Sequence, residues 1–99
     1  MVPMKVFLVV HGFVQGVGYR WLVKKAARKN GVRGMVRNAA NGSVEILAEA
    51  DAEKLNAFKK EINVDMWHGP SVLSIEEHTG DNALFPSATK DYEGFIIER

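Results

Sequence analysis

Lys5 to Gly12, KVFLVVHG, is apolar at almost every position. A run this short and rich in Val and Phe predicts a central strand covered on at least one face. From Arg20 to Gly31 the period changes. Leu22, Val23, Ala26 and Ala27 form one stripe, and Lys24, Lys25, Arg28 and Lys29 form the other face, which predicts an amphipathic helix. Asn30-Gly31 is a stop signal, because glycine tolerates the left-handed conformation of a helix C-cap. RGMVRNAA and SVEILAE flank Asn41-Gly42. That spacing predicts a β-hairpin over Arg33 to Glu49, closed by a type I′ turn at Asn41-Gly42. Leu55, Phe58 and Ile62 recur at helical spacing behind Asp51, a candidate N-cap, and predict a second helix from about Asp51 to Ile62. His68-Gly69-Pro70 breaks the chain. Ser71 to His78 alternates, with Leu73 and Ile75 expected to point inward. Thr79 to Asp91 is polar, irregular and longer than most loops. Tyr92 to Arg99 reads as a last short strand.

Strand, helix, strand, strand, helix, strand and a terminal strand is the order of a ferredoxin-like βαββαβ sandwich. The expected architecture is α+β, an antiparallel sheet with two helices on one face and a short C-terminal strand. Ninety-nine residues are enough for one domain with a modest core, taken as residues 1–99. The fold hosts many activities, so function has to come from a site. Absence of cysteine removes disulfides, thiolate catalysis and cysteine-ligated metal centres from consideration. No apolar run approaches the roughly 20 residues of a membrane span. Neither a secretory signal nor a membrane partner is expected, and the compartment expected is the cytoplasm.

Net charge is +1 and uninformative, but its distribution is uneven. Lys5, Arg20, Lys24, Lys25, Arg28, Lys29, Arg33 and Arg37 precede Glu45 with no acid among them, and all 12 acidic residues follow. Such asymmetry means either that the first half meets an anion or that it pairs with the acidic second half of the same domain.

Between the first strand and the first helix stands HGFVQGVGYR, His11 to Arg20. It is not a P-loop, because Val17 occupies the place of the second glycine. It is not a dinucleotide fingerprint either, because the third glycine would fall at Trp21. Gly16 and Gly18 allow successive N–H groups to converge on one point, an anion-binding nest. The helix N-terminus that follows adds free donors and a positive dipole end. Arg20 lies in the first helical turn, where a cation is disfavoured by roughly 0.3–1 kcal/mol. A bound oxyanion removes that conflict, and the guanidinium fork matches two phosphate oxygens. Pairing of Arg20 with a distant carboxylate, such as the chain terminus, is compatible with that role.

GFVQGVGYR followed by GMVRNAANGSVEI closely resembles the two signature segments of acylphosphatases. The resemblance runs from about Lys5 to Ile46 and continues more weakly through HGP and GFIIER. It implies a small ferredoxin-like enzyme that hydrolyses the carboxyl–phosphate bond of acyl phosphates. It implies that Arg20 binds the phosphoryl group, that Asn38 positions the attacking water, and that the N–H groups of Gln15, Gly16, Val17, Gly18 and Tyr19 cradle the phosphate. It also implies a small-molecule acyl phosphate as substrate, inorganic phosphate as product and inhibitor, no cofactor, and a monomer. Met35 stands where the family commonly has Trp, a difference expected to affect packing only.

The chemistry is self-consistent. An acyl phosphate departs as a carboxylate whose parent acid has a pKa of about 4, so no general acid is needed. Phosphoryl transfer then rests on positioning and on charge stabilisation. The sequence has no His/Asp/Glu cluster resembling a metal site, so no metal is expected. His11, beside the loop, is read as a satisfied edge histidine before a general base. His68 and His78 are read as solvent-facing, and Trp67 with Met66 as core or rim. A second class stays open: a ferredoxin-like module holding nucleic acid on the basic first helix. Against it, neither KVFLVVHG nor GMVRNAA carries the exposed aromatic pattern of sheet-based RNA binders.

Overall fold

Residues 3–80, 82–86 and 92–98 are described by the computed structural model. The elements are β1 (Met4–Phe13), α1 (Tyr19–Asn30), β2 (Arg33–Asn38), β3 (Val44–Ala50), α2 (Ala52–Ile62), β4 (Ser71–His78) and β5 (Phe95–Ile97). They form a five-stranded sheet in the order β4-β1-β3-β2-β5. β1 runs antiparallel to both β3 and β4, β2 antiparallel to β3, and β5 parallel to β2. The sheet is therefore mixed: a ferredoxin-like α+β core extended by one short parallel strand.

Alternation along β1 serves two clusters. Val6, Leu8 and Val10 enter the main core with Val23, Ala27, Phe58 and Ile62 of the helices. Phe7 faces the other way, joins Met35 and Leu47, and is covered by Phe85 and Tyr92. Both faces of the central strand are thus occupied, which is why its sequence is apolar throughout. Met35 does pack as apolar filling. The irregular segment after β4 contributes Phe85 to this second face; Asp81 and residues 87–91 lie outside the described residues, as does Arg99 of the predicted last strand.

Both helices end as their sequences direct. The Asp51 side chain accepts from the Lys54 N–H at 3.0 Å, capping α2. Gly31 closes α1 at φ 67°, and the Val32 N–H reaches the Ala27 carbonyl at 2.8 Å. Two expectations fail locally. The hairpin does not close through a type I′ turn at Asn41-Gly42. That turn needs positive φ at both central residues, and Asn41 is not among the positive-φ residues. Instead the Gly42 N–H bonds the Ala39 carbonyl at 3.3 Å, the Ala39 N–H bonds the Ser43 carbonyl at 2.9 Å, and Gly42 takes φ 92°. The turn centres on Ala40-Asn41 and the glycine serves the following bulge. The second failure is Leu73, which is 83% exposed. His11 pairs with Ser74 but Gly12 pairs with Val72, so Leu73 is the extra residue of a β-bulge. The bulge resets the alternation, so Val72 and Ile75 pack against the core together.

Candidate active site

The segment from Val14 to Gly18 leaves β1 and enters α1. Val14 is buried and Val17 packs partly against the main core, so the turn is anchored at two points. Between them Gly16 has φ 75° and Gly18 has φ 80°, ψ 13°. A Cβ built at either glycine meets nothing within 4 Å. The glycines are needed for the left-handed backbone, not for room, and the space above the loop is open. Gly18 is the N-cap of α1 and no side chain caps that end. The first helical bond runs from Leu22 N–H to the Gly18 carbonyl at 3.1 Å. The N–H groups of Tyr19, Arg20 and Trp21 therefore have no acceptor within the helix. The helix N-terminus is thus uncapped, with no acidic residue in its first turn, and its dipole gives this end a positive potential.

Arg20 is half-buried and has no ion pair or hydrogen bond among the described residues. It lies in the first turn of the helix with no carboxylate partner among the described residues; the chain terminus, the other expected partner, lies outside them. Tyr19 supplies only its backbone to the loop. Its ring is buried and its hydroxyl donates to the Ile62 carbonyl at 2.8 Å, tying the start of α1 to the end of α2. Burial raises the phenol pKa well above its ordinary value, so the hydroxyl stays a donor.

Gln15 has a role that its place in the motif did not reveal. Its Nε2 donates to the carbonyls of Ala39 and Ser43, each at 2.8 Å. This clamp fastens the glycine loop to the mouth of the hairpin, one peptide beyond Asn38. Asn38 ends β2 opposite Val44, and alternation puts it on the helix side with buried Val36. Asn38 is exposed, and its amide makes no hydrogen bond among the described residues. The neighbouring Asn41 instead bonds the turn, accepting from Ser43 N–H at 3.1 Å and from Ser43 Oγ at 2.6 Å. Only the pairing of distant segments could show the Gln15 clamp, since its acceptors are 24 and 28 residues away. Gln15→Ala should remove two bonds worth about 1 kcal/mol each and lower the melting temperature. It should also weaken inhibition by inorganic phosphate, by about tenfold, as the loop loosens. Unchanged inhibition would show that the loop holds its shape without the clamp.

The histidines divide. His11 Nε2 meets Glu76 Oε2 of β4, so it is satisfied across the sheet as expected. His68 is exposed at φ 59°. His78 is not solvent-facing: it is 6% exposed, packs its ring beside Phe7, and has no hydrogen bond on either nitrogen among the described residues. It pairs with Phe7 across the β1–β4 ladder and so shares that residue's covered face. Trp67 is not core, being 90% exposed, whereas Met66 lines a groove beside α1. The charge asymmetry resolves in part into pairing within the domain. Lys29, Arg33 and Arg37 pair with Glu61, Glu49 and Glu45 of the acidic half. Arg20, Lys24, Lys25 and Arg28 have no ion pair among the described residues. No group of three or more described His, Asp or Glu residues is arranged to hold a metal ion.

Two helices on one side of a 4-1-3-2 sheet, with an open glycine loop where the first strand meets the first helix, define a ferredoxin-like domain. The acylphosphatase family model matches residues 6–93. An acylphosphatase of Listeria welshimeri is 55% identical over 71 residues, which is 72% of each chain. One from Thermococcus kodakarensis is 46% identical over 58 residues, 59% of this chain and 64% of that protein, less than two thirds of its length. The crystal structure of the Bacillus subtilis acylphosphatase superposes with a TM-score of 0.78 at 28% identity, covering 99% of this chain and all of that one. The chain belongs to the acylphosphatase family, a family of enzymes. Nothing in the fold or in these likenesses favours the nucleic-acid module.

Proposed function

We propose that the protein hydrolyses the carboxyl–phosphate bond of small acyl phosphates to a carboxylate and inorganic phosphate, without a metal ion. The observation that supports this most is Arg20, without an ion pair among the described residues, at the uncapped start of α1, directly after the left-handed Gly16 and Gly18. The loop N–H groups from Gln15 to Tyr19 and the guanidinium surround the phosphoryl oxygens. In this reading Arg20 takes two of them through its fork, and the helix dipole adds to the field. Asn38, neutral and free, holds the water in line with the bond that breaks. The water oxygen bonds to phosphorus and the bridging P–O bond breaks. Its electron pair leaves on the carboxylate, and the water's proton passes to phosphate and solvent. A carboxylate is a good enough leaving group that no side chain need protonate it. The charge that develops lies on the equatorial oxygens, which these donors stabilise in this reading.

All these groups come from one chain, and we read the enzyme as a cytoplasmic monomer. Among the described residues no helix is long and apolar enough to cross a membrane. Phosphate release from benzoyl or acetyl phosphate tests the activity directly. Release should continue undiminished in excess chelator, with inorganic phosphate competing. Activity lost to chelator and restored by a divalent cation would overturn the metal-free mechanism.

A further inference from the structure

Beside the anion loop runs a groove of about 650 Å³. Val17 and Gly18 of the loop form its near end. Trp21, Leu22, Lys25, Ala26 and Lys29 continue it along one face of α1, and Met66 and Pro70 form the opposite wall. At the far end Lys29 Nζ pairs with Glu61 at 2.7 Å, and Asn30 also donates to Glu61. These two hydrogen bonds, that of Lys29 first, hold the Glu61 carboxyl below its usual range. From Gly18 to Lys29 the helix rises by about 16 Å. The groove is therefore long, apolar along its walls and open at the end where the proposed phosphate lies.

Trp21 follows Arg20 directly and is 59% exposed. A large apolar ring at the surface costs hydration free energy and does little for the core. Lys24 Nζ lies 5.8 Å from the ring centroid, a cation–π contact that restrains the indole. Met66, also exposed, adds a polarizable thioether that adapts to different shapes. An acetyl group fills only a small fraction of this space, and pockets of this size accept ligands of many more atoms.

We propose that this groove is the acyl-group subsite and that Trp21 selects acyl phosphates with a bulky apolar acyl body, aromatic or branched, over short ones. The inference rests on the acyl phosphate reading above and adds the substrate's other half. The phosphoryl group sits over the loop. The acyl body extends from the bridging oxygen past Gly18 onto Trp21, Met66 and Pro70. Burial of that body is realised on binding, so its preference appears mainly in KM.

The test compares benzoyl phosphate and acetyl phosphate in wild type, Trp21→Ala, Trp21→Phe and Trp67→Ala. Wild type should favour benzoyl phosphate in kcat/KM. In Trp21→Ala the benzoyl-to-acetyl ratio should fall about tenfold, mostly through KM, a loss in the range of one aromatic contact and its buried area. Trp21→Phe should restore most of the ratio. Trp67→Ala, at an exposed ring that is not part of the groove lining, should leave the ratio unchanged. Thermal melting of each variant confirms that exposed-residue changes leave the fold intact. Equal losses on both substrates in Trp21→Ala, or no change in the ratio, would overturn the subsite while leaving the hydrolase standing. No phosphate release from either substrate by wild type would overturn both.

Discussion

Arg20→Gln should lower kcat/KM for benzoyl phosphate by about 10³-fold, as removal of a charge that stabilises a transferring phosphoryl group does. Inhibition by inorganic phosphate should weaken with it, because the same guanidinium binds substrate and product. The variant should remain folded. Arg20 has no intramolecular ion pair or hydrogen bond among the described residues to lose, and it lies at the positive end of α1. Removing a cation from that position should raise stability by about 0.3–1 kcal/mol, visible as a small increase in melting temperature. Activity and stability therefore move in opposite directions, which is the signature of a residue kept for a ligand. Arg20→Lys retains the charge but not the planar fork, and should recover little of the activity. Near-wild-type turnover in Arg20→Gln would place the phosphoryl group elsewhere. A large drop in melting temperature would mean that Arg20 serves the fold.

Asn38→Ala should reduce kcat by about 10²-fold or more, the scale of a misplaced nucleophile, with phosphate inhibition nearly unchanged. The distinction from Arg20 is physical. A neutral amide adds no charge to bind a dianion, but it can donate and accept at once and so orient a water. Its position supports this use: β2 ends there, the amide has no hydrogen bond among the described residues, and Gln15 holds the adjoining peptide of Ala39 at 2.8 Å. The bland alternative, a side chain spent on the turn, belongs to Asn41 instead. Asn38→Asp would set a carboxylate near an anionic substrate and should impair binding as well as turnover. Weakened phosphate inhibition with kcat intact in Asn38→Ala would remove Asn38 from the water-holding role.

Much of this molecule was legible along the chain. Each helix declares itself by its stripe and by its own stop or start, Gly31 for α1 and Asp51 for α2, because capping is local chemistry between residues a few positions apart. The order of elements then leaves few ways to bury those stripes, so the βαββαβ sandwich follows. Two glycines before an arginine likewise state a left-handed loop and a cation in the first helical turn without any tertiary information. What stayed hidden depends on partners far away in sequence. Asn41-Gly42 is compatible with more than one turn, and the register of β2 against β3 chose Ala40-Asn41 as its centre. Leu73 alternates correctly as a strand residue, yet the offset at His11 and Gly12 on β1 turns it outward. Gly12 permits that offset at φ 140°, where a Cβ would lie 2.3 Å from the Ser71 carbonyl. His78 looks like a polar strand end, but pairing with Phe7 places it on a face that the packing buries. The Gln15 clamp and the Trp21 groove arise the same way, from the approach of a hairpin and of the chain after α2 to the start of α1. Local sequence sets which conformations a segment can adopt; only the packed neighbours set which groups it meets.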